Sequence, residues 1–540
     1  MLKSQKGSTL IAVMLVFLVL TTLLLVLLAA NIGGAKRTET RETDITENLD
    51  ALASMKEGVA VTQAFITNNS PTLLTSITTY DTQLKKFMDE ENAKNIGYRL
   101  EDATSAHTTL TAGFTRVLKV TSPPYSQDVF VTATPSFLKY ALGSRSNLTM
   151  NGSPSIKGDI YSRYSLNISN EALYLNNSVL QSKSTYLPVS KHSPEVTSEL
   201  FIEEGDVQLC KSGSCYRRTA NAFEKTAGWS TITRDKLPVD IHTAFSDQQA
   251  PIYAQLDAPF ADIDIPGTFL EKARNIGIPL SDFPTAFYDT EEKRNAAKVA
   301  HIRNELKKEV PTYTDSKKLE NPPPSPYILY RGDPNINVSS LTVPEGKWLI
   351  IDGDANFENN GQKSLDIKGN ILITGNLKLT GKLSFDSVIY VLGQTTIKNA
   401  DIHCYQNSCT TGTIDKDIWK NPAFILMTQG NLDINLVNKF NDSTTGINGY
   451  LYTASVADVY GVGSLLNVTG GLFSKDNLTI NSFRGTAEDG TPELKLTDNE
   501  DIDSSRFKIV NNKRLFFEQE DALPKVKQLS AIPDRLEKDN

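Results

Sequence analysis

Apolar residues are spread unevenly along the chain, and their spacing changes character twice. From Leu10 to Ala30 there are 21 residues without a charge, 19 of them apolar and the other two Thr21 and Thr22. At ~1.5 Å per residue such a run crosses the ~30 Å hydrocarbon layer of a bilayer as one helix. Beyond it, Ile45, Leu49, Leu52, Met55 and Val59 recur at three- and four-residue intervals among polar neighbours, and Ile66 continues the series. That spacing draws one apolar stripe along a helix. Asn68-Asn69-Ser70-Pro71 is a stop signal. The pattern therefore predicts one helix from about Ser8 to about Asn68, roughly 90 Å long, with half in the membrane and half packed on an exported domain.

Residues 71–135 predict a small α+β region. A helix is expected near Thr82 to Asn95, and two strands, Thr115 to Thr121 and Asp128 to Thr134, flank the turn Ser122-Pro123-Pro124-Tyr125. The second change of spacing comes between Leu365 and Phe385. Gly369, Gly375 and Gly381 fall six apart, and the pairs Leu365/Ile367, Ile371/Ile373, Leu377/Leu379 and Leu383/Phe385 keep one phase. Alternation points these apolar residues to one side, and each Gly allows a sharp corner. Short strands with regular corners describe a β-solenoid; a meander of tight hairpins is the competing fold. Weaker copies occur around Asn147, Ser155, Ser165, Gly430 and Gly471.

The expected fold is thus α+β, mainly β: a long N-terminal transmembrane and amphipathic helix, then a β-solenoid body carrying an inserted subdomain. Its first strands occupy 136–180 and its main part 336–483. Residues 181–335 form the insert, with a helix signal at Thr290 to Glu309 and a Pro-rich stop at Asn321 to Pro326. Residues 484–540 are read as a hairpin, Phe507 to Val510 with Arg514 to Phe517, followed by an acidic, polar tail that is mobile from about Asp521.

Charge and composition narrow the partners. The formal net charge is -8, so the overall basic balance that accompanies nucleic-acid binding is missing and no nucleic-acid partner is expected. Lys3 and Lys6 before the apolar run place the short N-terminal end in the cytoplasm and the bulk of the chain outside. Five histidines and four cysteines leave few metal ligands or general acid-base groups. No Gly-x-Ser-x-Gly elbow, P-loop, His-Glu-x-x-His or dinucleotide fingerprint is present. No enzyme activity and no cofactor are expected.

Lys6-Gly7-Ser8-Thr9-Leu10-Ile11, directly before the apolar run, resembles the type IV prepilin leader. The resemblance implies cleavage between Gly7 and Ser8, a leader of residues 1–7 and a pilin-like helix over 8–70. Major pilins carry Glu at the fifth mature position, which here is Ala12. A buried terminal ammonium without that carboxylate would be costly in hydrocarbon, and this departure is shared with PilX-type minor pilins and the large tip pseudopilins of type II secretion. The implied protein is a minor pilin or pseudopilin-like component of a type IV filament system, displaying a β-rich head at the cell surface or filament tip. Implied partners are prepilin peptidase, other pilins or pseudopilins, the inner assembly platform and membrane lipid. The alternatives are a membrane-anchored adhesin or binding module on a plain anchor, and a β-helix polysaccharide-active enzyme.

Cysteines come as Cys210/Cys215 and Cys404/Cys409, each pair separated by four residues. In an exported chain this spacing suits two small disulfide loops; free thiols and one shared structural zinc are the other readings. Asp352-Gly-Asp354-Ala-Asn356-Phe-Glu358 resembles the start of a calcium loop, but Phe357 and Lys363 break the pattern, so it is read as a polar turn. Arg331-Gly332-Asp333 is read as a loop, and Asp366 and Asp386 as solvated positions of the repeat.

Overall fold

The computed structural model describes residues 6–107, 114–133, 135–176, 179–190, 198–219, 222–246, 249–254, 262–309, 313, 319, 327–344, 346–359, 361, 363–405, 424–435, 444–488, 493–498, 502–511, 522–524 and 528–538. They fall into two compact units. The first draws on residues 1–109, 116–131 and 531–540, the second on 110–115 and 132–530.

In the first unit one helix, α1 (Lys6–Leu73), runs unbroken through the apolar run and the stripe. It ends about one turn later than the sequence predicts, with Pro71 inside the last turn. Burial of Ser70 and Leu73 and a 3.0 Å bond from the Leu74 N–H to the Ser70 carbonyl offset the cost of that proline. Helix α2 (Ile77–Lys94) is capped by the Ser76 hydroxyl, which accepts from the Thr79 N–H, and ends at Asn95 in the left-handed region. It buries Tyr80, Leu84 and Phe87, and Phe87 stacks on Phe65 of α1 at 4.1 Å. Strands β1 (Arg99–Asp102), β2 (Arg116–Ser122) and β3 (Tyr125–Thr132) form an antiparallel sheet, and Ser530–Lys538 is its fourth strand, beside β3. The expectation of a mobile tail from about Asp521 is corrected here: Leu529, Ala531 and Ile532 are buried, and the chain returns to complete this sheet. Gly58 lets α1 approach the sheet, since a Cβ there would lie 2.7 Å from both Tyr98 and Val120.

The second unit is mainly β. Among the described residues most of its strands join one 26-stranded, predominantly parallel sheet, which closes on itself as a small parallel barrel with many strands attached rather than as a clear solenoid, and three pairs of strands form separate two-stranded sheets. Three rows of parallel ladders can be followed. One passes from Ile328–Arg331 to Trp348–Asp352, Asn370–Ile373, the end of Leu377–Val391, Phe424–Thr428, Thr444–Thr453 and Leu465–Ser474. It then continues into Leu142–Ser144, Ile160–Ser162, Glu199–Ile202 and Ile252–Ala254. The chain therefore enters this sheet in its middle: Leu472 pairs with Leu142, Leu478 with Leu148 and Lys508 with Ser155.

Of the repeated glycines, Gly369 and Gly375 lie between strands and Gly381 lies within Leu377–Val391. Leu365–Lys368 pairs in parallel with Leu383 to Asp386, 18 residues on, and Asn370–Ile373 with Ile389 to Val391, so the competing meander of hairpins does not form. Gly381 holds φ +82, and a Cβ there would sit 1.7 Å from the Asn359 carbonyl oxygen. Leu365, Ile367, Ile371, Ile373, Leu377, Leu379, Leu383 and Phe385 all point into one core with Phe357, Phe424, Leu451, Leu472, Leu142 and Ile160. At ~1.5–3 kcal/mol for each fully buried large aliphatic or Phe side chain, this core dominates the unit's stability.

Two expectations meet different neighbours. Phe507–Asn511 runs parallel to Leu465–Ser474 and Ser155–Lys157, whereas its expected hairpin partner, Arg514 to Phe517, lies outside the described residues. Within 181–335, Val189–Ser190, Glu199–Ile202, Val207–Cys210 and Ile252–Ala254 pair with the same large sheet. Helix Glu291–Leu306 lies in the connection from Ile252–Ala254 back to Ile328–Arg331. Its Arg303 guanidinium donates to the Thr374 carbonyl at 3.0 Å, and Arg331 donates to the Leu306 carbonyl at 2.6 Å.

Candidate functional site

Helix α1 carries the first candidate region. It is long and apolar enough to cross a membrane, and its side chains from Leu10 to Leu28 are uncovered. Thr21 and Thr22 donate their hydroxyls back to the carbonyls of Phe17, Leu18 and Val19, so neither leaves an unbonded hydroxyl in an apolar medium. Gly7 and Ser8 lie in the first turn, and Ala12 follows one turn later. The stripe divides in two. Met55, Val59 and Ile66 are buried within the first unit, whereas Ile45 and Leu49 remain 60% exposed.

Cys210 and Cys215 are joined by a disulfide, with Cα atoms 5.7 Å apart. The link sits where two hairpins meet: the Glu171 carboxylate accepts from the Cys215 and Tyr216 N–H groups at 2.7 and 3.1 Å, and the Trp229 indole donates to the Cys215 carbonyl at 2.9 Å. Cys404 is also disulfide-bonded, and Cys409 lies outside the described residues.

The acidic turn and the Arg-Gly-Asp tripeptide are spent on the fold. Asp352 accepts from Arg331 at 3.0 Å, Asp354 from the Asn376 N–H at 2.7 Å, and Asp333 from the Asp354 N–H at 2.8 Å. These carboxylates thus bind neighbouring strands at a corner. Among the described residues no group of three or more His, Cys, Asp or Glu is placed to hold a metal ion. Asp366 accepts from the Ser364 and Ser384 hydroxyls at 2.9 and 2.5 Å, and Asp386 faces Lys368 at 3.9 Å.

Sequence reasoning missed two outward-facing arrangements. Asp401 accepts from His403 at 2.9 Å and from the Gly446 N–H at 2.8 Å. Burial raises the Asp401 carboxyl, but those bonds more than offset it and hold it below the usual carboxylate range; the same bond raises His403 despite burial. The second arrangement is Asp433 and Asp458, in register on neighbouring parallel strands, with Tyr460 next along the same face as Asp458. Burial raises Asp433; burial and then the charge of Asp433 raise Asp458. The available signal was the recurrence of Leu432-Asp-Ile434 as Ala457-Asp-Val459.

Comparison with protein-family models, with curated proteins and with solved structures finds no match to this chain.

Proposed function

We propose that the chain is a membrane-anchored, minor pilin or pseudopilin-like component of a type IV filament system that displays a large β-rich head outside the cell. The observation that carries this reading is the division of α1: one unbroken helix leaves its apolar run bare and packs its last part, from Met55 to Leu73, against the sheet of the first unit. A plain anchor has no need of that continuity, because a flexible joint after the bilayer would tether a head equally well. The leader-like Lys6-Gly7-Ser8 at the start of the same helix, and Ala12 where a main filament subunit carries Glu, supply the specific form of the reading. In it, the uncovered helix packs among the helices of other pilins, prepilin peptidase removes residues 1–7, and the inner assembly platform receives the processed chain.

The same reading treats the second unit as a three-sided solenoid. Support comes from three parallel rows with glycine corners and an 18-residue step in the best-formed part of the repeat. Such a body is self-supporting, since successive turns bury each other's inward side chains. It suits presentation at the end of a stalk.

Mass spectrometry of the mature N-terminus tests the proposal, which expects Ser8 as the first residue and an intact leader in a Gly7→Val variant. An intact Met1 in the native protein, or a cut near Ala30, would overturn it.

A further inference from the structure

Asp433 and Asp458 stand opposite each other on strands Leu432–Asn435 and Ala457–Gly461. Adjacent strands lie ~4.8 Å apart. Like charges in directly opposed positions destabilise a sheet, and partial burial adds to the cost because neither carboxylate keeps its full hydration. Thr396 lies opposite Asp433 on one flank; on the other, Thr479 lies opposite Asp458 and hydrogen-bonds its carboxyl, which offsets part of the rise that burial and Asp433 cause. Asn435 pairs with Tyr460, which pairs in turn with Asn481, and Lys398 lies opposite Asn435, a diagonal position from Asp433. Among the described residues of these four strands, the charged or titratable groups on this face are therefore two aspartates, one tyrosine and that diagonal lysine, with Lys378 one strand further on, opposite Thr396. Burial raises Tyr460, and the charges of Asp458 and then Asp433 raise it further, which leaves its hydroxyl protonated.

We propose that Asp433 and Asp458 share one proton across the two strands, and that this makes the parallel body a pH-responsive element, more stable in mildly acidic than in neutral surroundings. With one proton present, an O–H on one carboxyl donates to the carboxylate of the other, and repulsion becomes a charge-assisted bond between neighbouring strands. The sign follows from the raised values. A carboxyl whose folded value lies above its unfolded value costs stability when ionised, and that cost is lifted as pH falls through the folded value. The inference stands apart from the filament reading, since it needs only the register of the strands.

The test uses the full-length protein in detergent micelles, with thermal midpoints measured from neutral to mildly acidic pH for the native chain and for Asp458→Asn and Asp433→Asn. An amide supplies permanently the donor that the shared proton supplies on demand. Each variant should have a midpoint ~2–4 °C above the native protein at neutral pH, and each should lose part of the native rise on acidification. Difference infrared spectroscopy should show a protonated-carboxyl band in the native protein that appears on mild acidification and is weaker in both variants. Coincident native and variant pH profiles, or no such band, would sink the proposal. So would stabilisation of the native chain at neutral pH by millimolar calcium that both variants lack, because a cation would then occupy the pair in place of the proton.

Discussion

In the first unit a four-stranded sheet relies on helices to cover it, with Met55, Val59 and Ile66 of α1 and Tyr80, Leu84 and Phe87 of α2 buried. In the second, inward side chains of three parallel rows meet one another. The first unit is thus only as secure as its helix, while the second holds a core that local damage opens in one place. The same contrast runs along α1 itself, where one apolar stripe is buried at Met55 and bare at Leu49.

The largest effect should come from the core of the parallel body. Phe385 is fully buried, stacked on Phe424 at 4.6 Å and edge-on to Phe357 at 6.4 Å. Phe385→Ala should cost about 3–5 kcal/mol, seen as faster hydrogen exchange in Leu377–Val391 and Phe424–Thr428 while α2 and β1–β3 keep their protection. Loss of protection throughout both units would remove the distinction between them.

Met55→Ala should cost about 2–4 kcal/mol and Leu49→Ala less than about 0.5 kcal/mol, compared by denaturant midpoints and by exchange in β1–β3. Equal costs would mean that Leu49 is covered in solution. Replacing both Cys210 and Cys215 by Ser removes a short loop closure worth about 2 kcal/mol; a lowered urea midpoint, with exchange quickened around Val207–Cys210 and Tyr216–Arg218, is the expected result.

A small effect that depends on pH belongs to Asp401 and His403. His403 has a folded value above its unfolded one, so its contribution is present in full below the unfolded histidine value and is lost as pH rises through the folded one. Asp401 is lowered, so its contribution is present above the unfolded carboxylate value and lost as pH falls through the folded one. The pair should therefore stabilise most between pH ~4 and ~6.5. With the His403 side chain 40% exposed, solvent screening limits the gain to less than about 1 kcal/mol. His403→Ala should flatten the midpoint profile across that window and leave it unchanged at alkaline pH.

The long helix was legible because its signals are local: an uncharged run, then a three-four spacing. Which part of the stripe is covered was not, since Leu49 and Met55 look alike until the sheet is in place. The mainly-β character of the second unit was legible for the same reason, in a local apolar alternation, whereas its closure as a small parallel barrel was not. The pairing of Leu465–Ser474 and Phe507–Asn511 with strands more than 300 residues earlier leaves no local trace. The apolar alternation of Phe507–Asn511 fits either pairing, because alternation fixes which side chains face inward and leaves the partner open. Asp433 and Asp458 occupy ordinary outward positions, and only register reveals that they oppose each other.

The mid-sheet entry of the chain has a consequence for the order in which the protein can assemble as it is delivered. Leu142–Ser144, Leu148–Gly152 and Ser155–Lys157 emerge early, yet one side of each waits for partners located between residues 465 and 511. Until those arrive, an unsatisfied edge faces outward, open to mispairing. The first unit waits longer still, for residues 530–538. A chain released early would thus have neither unit finished, which couples completion of the first unit to synthesis of the whole second one.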